Sequence, residues 1–160
     1  MSVTKSKNIG KWFEGKTNDI LMELRGKKKC TFVRLYDSYA AQGNMLGNQP
    51  GDFIVIPLGR PAILLECKSS MVHPSLRSCL SANVENHQGA AHRIWSLMGG
   101  DALFVFYTDE TDEVEFWDGD YIGEKKAEGK PLDLSKRLSC VPLKKFNQAL
   151  KGYIISGAKK

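Results

Sequence analysis

The stretch PGDFIVIPLGRPAILLECKSS, residues 50–70, decides the fold. Its two runs, DFIVIPL and RPAILLECKSS, are rich in apolar and β-branched residues and meet at Gly59. Such runs read as strands, and a short glycine-containing connection reads as a hairpin. The second run closes on Glu66-Cys67-Lys68. Residues two apart in a strand project from one face. Glu66 and Lys68 therefore point together, while Cys67 points into apolar packing. Asp52 opens the first strand and can come round beside Glu66. Two carboxylates and an amine then meet at one edge of an otherwise apolar sheet.

Working outward, residues 9–25 predict a helix with Phe13, Ile20, Leu21 and Leu24 as its buried stripe, stopped by Gly26. CTFVRLYD, residues 30–37, predicts a strand, and the turn-rich residues 39–51 a loop. After a loop around Pro74, residues 80–98 predict a helix whose apolar side is Val84, Ala91, Ile94, Trp95 and Met98. Gly99-Gly100 ends it. ALFVFYTDE reads as a central buried strand, and EVEFWDG as its antiparallel, more exposed neighbour. LKKFNQALKGY predicts a short last helix. The order is helix, three strands, helix, two strands, helix. That is an α/β fold with a mixed β-sheet flanked by helices, not a doubly wound dinucleotide fold. No repeat or linker divides the chain, so residues 1–160 read as a single domain with a core at about 9–118 and basic termini.

The charge is unevenly spread. Residues 1–36 hold nine Lys/Arg against three Asp/Glu, and residues 129–160 hold eight against one. Between them, residues 101–128 hold ten acids against two lysines. Basic ends around an acidic segment point to a polyanion-binding face and a solvated acidic face. Lys5, Lys7, Lys11, Lys27, Lys28, Lys29 and Arg34 are the expected phosphate contacts. Such contacts position a duplex without reading its bases. Four cysteines lie far apart with no C-x-x-C pair, which suits a reducing cytoplasm. No apolar run reaches the roughly 20 residues that span a bilayer, and no apolar segment follows the basic N-terminus as a signal peptide requires. Neither a phosphate-binding G-x-x-x-x-G-K-[ST] loop nor a dinucleotide glycine signature is present, so no nucleotide cofactor is expected.

Paired carboxylates repel, and one of them takes up a proton unless a cation intervenes. Mg²⁺ prefers oxygen ligands and is commonly held by one or two carboxylates plus substrate phosphate. Asp52 and Glu66 are thus candidate Mg²⁺ ligands, with Mn²⁺ able to substitute. Lys68 would orient the attacking hydroxide and offset charge building on a phosphorane. An E-x-K tripeptide alone is weak, because most are the solvated side of an edge strand. Here Glu66 ends an apolar run, where an unpaired charge is costly.

P-G-D-(x13)-E-C-K resembles the motif of the PD-(D/E)xK nuclease superfamily, with Gly51 inserted before the Asp. LLECKSS, then N…HQ in NVENHQ, then GGDALFVFYTDE is similar to the RecU-type and phage Holliday junction resolvases. The resemblance implies a restriction-endonuclease-like fold and adds Glu14, in WFE on the first helix, as a further catalytic and metal-ligating acid. It also adds Gln88, with His87 beside it, near the scissile phosphate. Read on its own, Glu14 is either a metal ligand or an ordinary exposed helix residue, and its neighbours Trp12 and Phe13 suit a helix packed on the sheet, which favours the ligand. His73 and His92 read as structural. Tyr36, Tyr39 and Met45 could meet unstacked bases or form a small dimer contact.

The resemblance implies a metal-dependent endonuclease acting on branched or duplex DNA, with Holliday junction resolution the leading expectation. The expected setting is the cytoplasm of a bacterial or phage-infected cell. A four-way junction offers two symmetry-related cuts, which calls for a homodimer. The alternatives are a nuclease of the same superfamily serving restriction, repair or nicking, and a non-catalytic DNA-binding module on the same scaffold.

Overall fold

The computed structural model describes residues 8–36, 49–72 and 83–157. Helix α1 (Ile9–Gly26) is capped by Asn8, whose side chain accepts from Lys11 N. It buries Phe13, Ile20, Leu21 and Leu24 as expected, together with Thr17. Gly26 is its last helical residue rather than its stop. The left-handed position after the helix falls on Lys28, at φ 56°. Strands β1 (Cys30–Arg34), β2 (Phe53–Pro57) and β3 (Ile63–Ser70) follow. Helix α2 (Asn86–Leu97), strands β4 (Asp101–Thr108) and β5 (Glu113–Asp118), helix α3 (Gly119–Glu128), strand β6 (Ser139–Pro142) and helix α4 (Phe146–Ser156) complete the order.

The six strands form one mixed sheet in the order β1-β2-β3-β4-β5-β6. β2 and β3 pair antiparallel, the hairpin read from residues 50–70. β3 and β4 run parallel, joined by the segment that carries α2. All other neighbours are antiparallel. Alternation along β3 divides the molecule into two cores. Ile63, Leu65 and Cys67 face α1 and α4 and pack with Phe13, Leu21, Phe146 and Leu150. Phe104, Phe106 and Trp117 face the other way, with Val84, Ile122 and Leu132. Helices therefore flank the sheet on both sides, as the sequence predicts. None of the described helices is long and apolar enough to cross a membrane.

Two elements and one face depart from expectation. α3 and β6 were not foreseen. β6 pairs with β5 along Glu113–Phe116, so β5 is an interior strand with Phe116 and Trp117 buried rather than the more exposed neighbour. The described part of α2 starts at Asn86, and Val84 is buried ahead of it. The buried residues of α2 are Gly89 and His92, while Ile94 and Met98 are exposed. The cause is helix packing. A Cβ on Gly123 would collide with the Gly89 carbonyl oxygen, so α2 and α3 approach through glycines. That contact turns the Ile94 side outward. The expected loop over residues 39–48, the first residues of the 80–98 helix, Lys5, Lys7, Tyr39, Met45 and His73 lie outside the described residues.

Candidate functional site

The site lies along the C-terminal half of β3, an interior strand of the sheet rather than the edge that the sequence suggests, between α1 and α2. Gly51 lets the chain arrive there. A Cβ at that position would sit 3.1 Å from Leu65 O and 3.0 Å from Leu64 Cδ1. The close approach brings Asp52 alongside β3, and Asp52 N donates to Leu65 O at 3.0 Å. The carboxylate then turns inward, where Oδ2 accepts from Cys67 N at 2.8 Å. The same Cys67 sends its side chain to the opposite core and contacts the Thr17 hydroxyl at 3.5 Å.

Glu66 is 2 % exposed, an unusual place for an acid. Its Oε1 accepts from Gln88 Nε2 at 2.7 Å and pairs with Lys68 Nζ at 2.9 Å. Lys68 Nζ also donates to Gln88 Oε1 at 2.9 Å. A closed triangle of Glu66, Lys68 and Gln88 results. Gln88 is fixed by its own backbone setting, for it belongs to the capping box that opens α2. Its Oε1 accepts from Glu85 N at 3.1 Å. The other Glu66 oxygen, Oε2, is buried without a hydrogen-bond partner. Leaving a buried acceptor unsatisfied costs about 1–3 kcal/mol, more when it is charged.

Charge is strained here. Burial, with Glu66 and then Glu14 adding like charge, pushes the Asp52 carboxyl up to about 8. Burial also raises Glu66, opposed by the nearby Lys68 ammonium. The three acids thus feel one another across the end of β3. Glu14 reaches the site from α1, but its Oε2 is held by Arg34 Nη2 at 3.1 Å. Arg34 lies against the rings of Tyr36 and Phe53. Among the described residues, no three His, Cys, Asp or Glu side chains gather closely enough to enclose a cation unaided.

The donor set fits a hard divalent ion. Oxygen ligands are what Mg²⁺ takes, and it needs only one or two carboxylates when substrate and water fill the rest. The buried Glu66 Oε2 has no hydrogen-bond partner, and burial, with like charge from Glu66 and Glu14 added, raises the Asp52 carboxyl; an ion held between the two would offset both costs. Asp52 and Glu66 are the residues that would hold it. Glu14 could join them only on leaving Arg34.

The structure separates the expected phosphate contacts. Lys11 is in the first turn of α1, and Arg34 is at the site end of β1. Lys27–Lys29 follow the far end of α1, about 20 Å along the helix from Glu14 at 1.5 Å per residue. Lys27 is paired there with Glu23 at 2.8 Å. His87 Nδ1 lies 3.2 Å from Glu85 Oε2, turned toward the helix cap. His92 is fully buried against Phe104, with ring centroids 4.3 Å apart and neither nitrogen hydrogen-bonded. Sequence reasoning missed Arg34 as the partner of Glu14, and Thr17 beneath Cys67. Only the Glu85-x-x-Gln88 spacing carried a readable signal, that of a capping box.

No protein-family model matches the chain, and no curated protein matches it. Among solved structures it is similar to Hjc, a Holliday junction resolvase from the archaeal hyperthermophile Archaeoglobus fulgidus. The TM-score is 0.44 at 18% identity, covering 70% of this chain and 78% of that one.

Proposed function

We propose that the protein is a metal-dependent endonuclease that hydrolyses phosphodiester bonds in branched DNA, Holliday junctions foremost. The observation that carries this reading is the buried Glu66, tied to Lys68 and Gln88 and set beside Asp52, with one oxygen left over. A structural role alone gives no reason to bury two acids in mutual repulsion. A bound Mg²⁺ would supply Lewis-acid stabilisation of charge on the phosphate. The chain's own residues do the rest. Lys68 presents an ammonium at the site mouth, where it can neutralise charge on a phosphate oxygen. Gln88 fixes both Lys68 and Glu66, so the ammonium and carboxylate keep their relative positions as substrate arrives. Arg34 and Lys11, at the same end of the sheet, can anchor flanking phosphates. The resolvase resemblance of LLECKSS and the N…HQ segment supports branched DNA as the substrate, and two symmetric cuts support a homodimer.

The test is incubation of end-labelled four-way junction, linear duplex and single strand with Mg²⁺, compared with EDTA. Mg²⁺-dependent nicking confined to the junction is expected. Cutting of all three substrates alike would favour a general nuclease. No cutting with either Mg²⁺ or Mn²⁺ would leave a DNA-binding module.

A further inference from the structure

Arg34 touches both the backbone and the acids of the site. It pairs in register with Phe53, next to Asp52, and the following Leu35 N donates to Asp52 O at 2.8 Å. Its main chain is therefore fixed beside Asp52 wherever its side chain goes. The guanidinium makes two kinds of contact. Nη2 donates to Glu14 Oε2 at 3.1 Å, and the planar group lies 5.4 Å from the Tyr36 ring centroid and 5.8 Å from that of Phe53. Glu14 has no other polar partner among the described residues. The pair is not needed to hold α1 on β1, because Leu21, Leu24, Cys30 and Phe32 already share one core there. Both side chains are 29% exposed, so solvent and incoming groups can reach the pair.

We infer that Arg34 is a latch on Glu14: it holds that carboxylate apart from Asp52 and Glu66 until a DNA phosphate takes the guanidinium, and only then is Glu14 free to join them around a cation. Three features favour a latch over a static ion pair. The pair is partly open, and open pairs of this kind are weak. A phosphate offers a guanidinium two parallel hydrogen bonds, whereas Glu14 accepts one here. The Tyr36 and Phe53 rings would keep their contact with the guanidinium through that exchange, so Arg34 has a second resting partner. The Glu14 charge also bears on both Asp52 and Glu66, which places it within electrostatic reach of the two. The consequence is a linkage. Whatever draws Arg34 away strengthens cation binding, and a cation that draws Glu14 away strengthens phosphate binding by the same factor. Arg34 is thus a positioning residue, acting through Glu14. The inference rests on the metal-dependent nuclease reading, so its test is chosen to separate the two.

Four full-length proteins test it by binding alone: the parent, Arg34→Met, Glu14→Gln and the double variant. The electron paramagnetic resonance signal of free Mn²⁺ reads cation affinity without DNA. Loss of the Arg34 charge favours a cation through space whether or not Glu14 is present, whereas the latch adds a gain that needs Glu14. Arg34→Met in the parent should therefore tighten Mn²⁺ binding about 5-fold or more beyond the gain it gives in Glu14→Gln, the scale of an ordinary coupling. Anisotropy of a labelled linear duplex in EDTA, where metal-dependent cleavage is blocked, reads the other half. Glu14→Gln frees Arg34, so it should tighten duplex binding about 5-fold or more beyond its effect in Arg34→Met. Effects that agree within about twofold between backgrounds, as for uncoupled residues, would overturn the latch in either assay. Circular dichroism should show all four proteins folded, and Arg34→Gln repeats both cycles if Arg34→Met is not. Glu66→Gln separates the two readings. If it abolishes Mn²⁺ binding while the cycles are additive, the cation site stands and the latch alone falls. If it binds Mn²⁺ as the parent does, the metal-site reading falls and the latch with it.

Discussion

Gln88 Nε2 donates to Glu66 Oε1 across 2.7 Å, which ties the first turn of α2 to the charged end of β3. One side chain thereby serves the helix as a cap and the site as a clamp. Gln88→Ala should lose both roles. Removing this N3 partner of the capping box leaves Glu85 N without its side-chain acceptor, and Glu66 Oε1 loses a hydrogen bond in a buried place, each worth about 0.5–1.5 kcal/mol. The denaturant midpoint should fall accordingly, and junction cleavage should drop by more than the loss of folded protein explains. Cleavage that tracks only the folded fraction would reduce Gln88 to a cap.

Asp52 and Glu66 should be indispensable to cleavage and nearly irrelevant to binding. Asp52→Asn or Glu66→Gln should abolish nicking. Junction affinity should be almost unchanged, because Lys/Arg–phosphate contacts carry it. Parallel gel-shift and cleavage assays separate the two effects. Normal nicking by either variant would remove the proposed metal site.

The raised Asp52 carboxyl also predicts a pH dependence of stability. Its folded value is about 8, against 3.8 for the unconstrained group. Between those values the folded protein keeps a proton that the unfolded chain has released. The associated stability is present below pH 3.8 and lost as pH rises toward 8. In chelator, melting temperatures should therefore decline from pH 5 to pH 9, and Asp52→Asn should flatten the decline. Added Mg²⁺ should offset it at the alkaline end, where the carboxylates are free to bind. An identical slope in parent and variant would show that Asp52 is not the group responsible.

Lys68→Ala should act on the rate rather than on affinity. Loss of one preorganised donor costs roughly 2–4 kcal/mol of transition-state stabilisation. Single-turnover cleavage on saturating junction would read that term alone. A defect that appears mainly in the dissociation constant would make Lys68 a phosphate anchor.

The hairpin and the Glu66–Lys68 alternation were legible because a strand's period of two is written directly in residues 50–70. α1 was legible for the matching reason at a period near 3.6. α3 was not, because GDYIGEKKAE carries two glycines, and its buried set of Gly119, Ile122 and Gly123 is too sparse to stand out. β6 has only four residues and ends on Pro142, and its pairing with β5 brings it into the sheet. The inner face of α2 was misread because glycine contact and a buried His92 define it, whereas apolarity marks the outer face. Glu66, Lys68 and Asp52 could be grouped from strand geometry. The hold of Arg34 on Glu14 joins residues 20 apart on two elements, and no local pattern records it.

Branch selectivity should appear as a difference in salt dependence. Basic residues at both chain ends attract any duplex, and that attraction weakens steeply as salt rises. The described residues at the site include no defined set of base-reading side chains, so the proposed selectivity rests on geometry. The proposed two-fold dimer would offer two basic faces, and a four-way junction offers two arms that can engage them together. Once one arm is bound, the second contact forms at high effective concentration and adds avidity without base reading. A linear duplex can satisfy only one face. Junction binding should therefore persist at physiological salt after linear-duplex binding is lost. Titrating both substrates in parallel across the salt range measures this. Parallel decline of both affinities in the parent would replace junction resolution with a general nuclease activity.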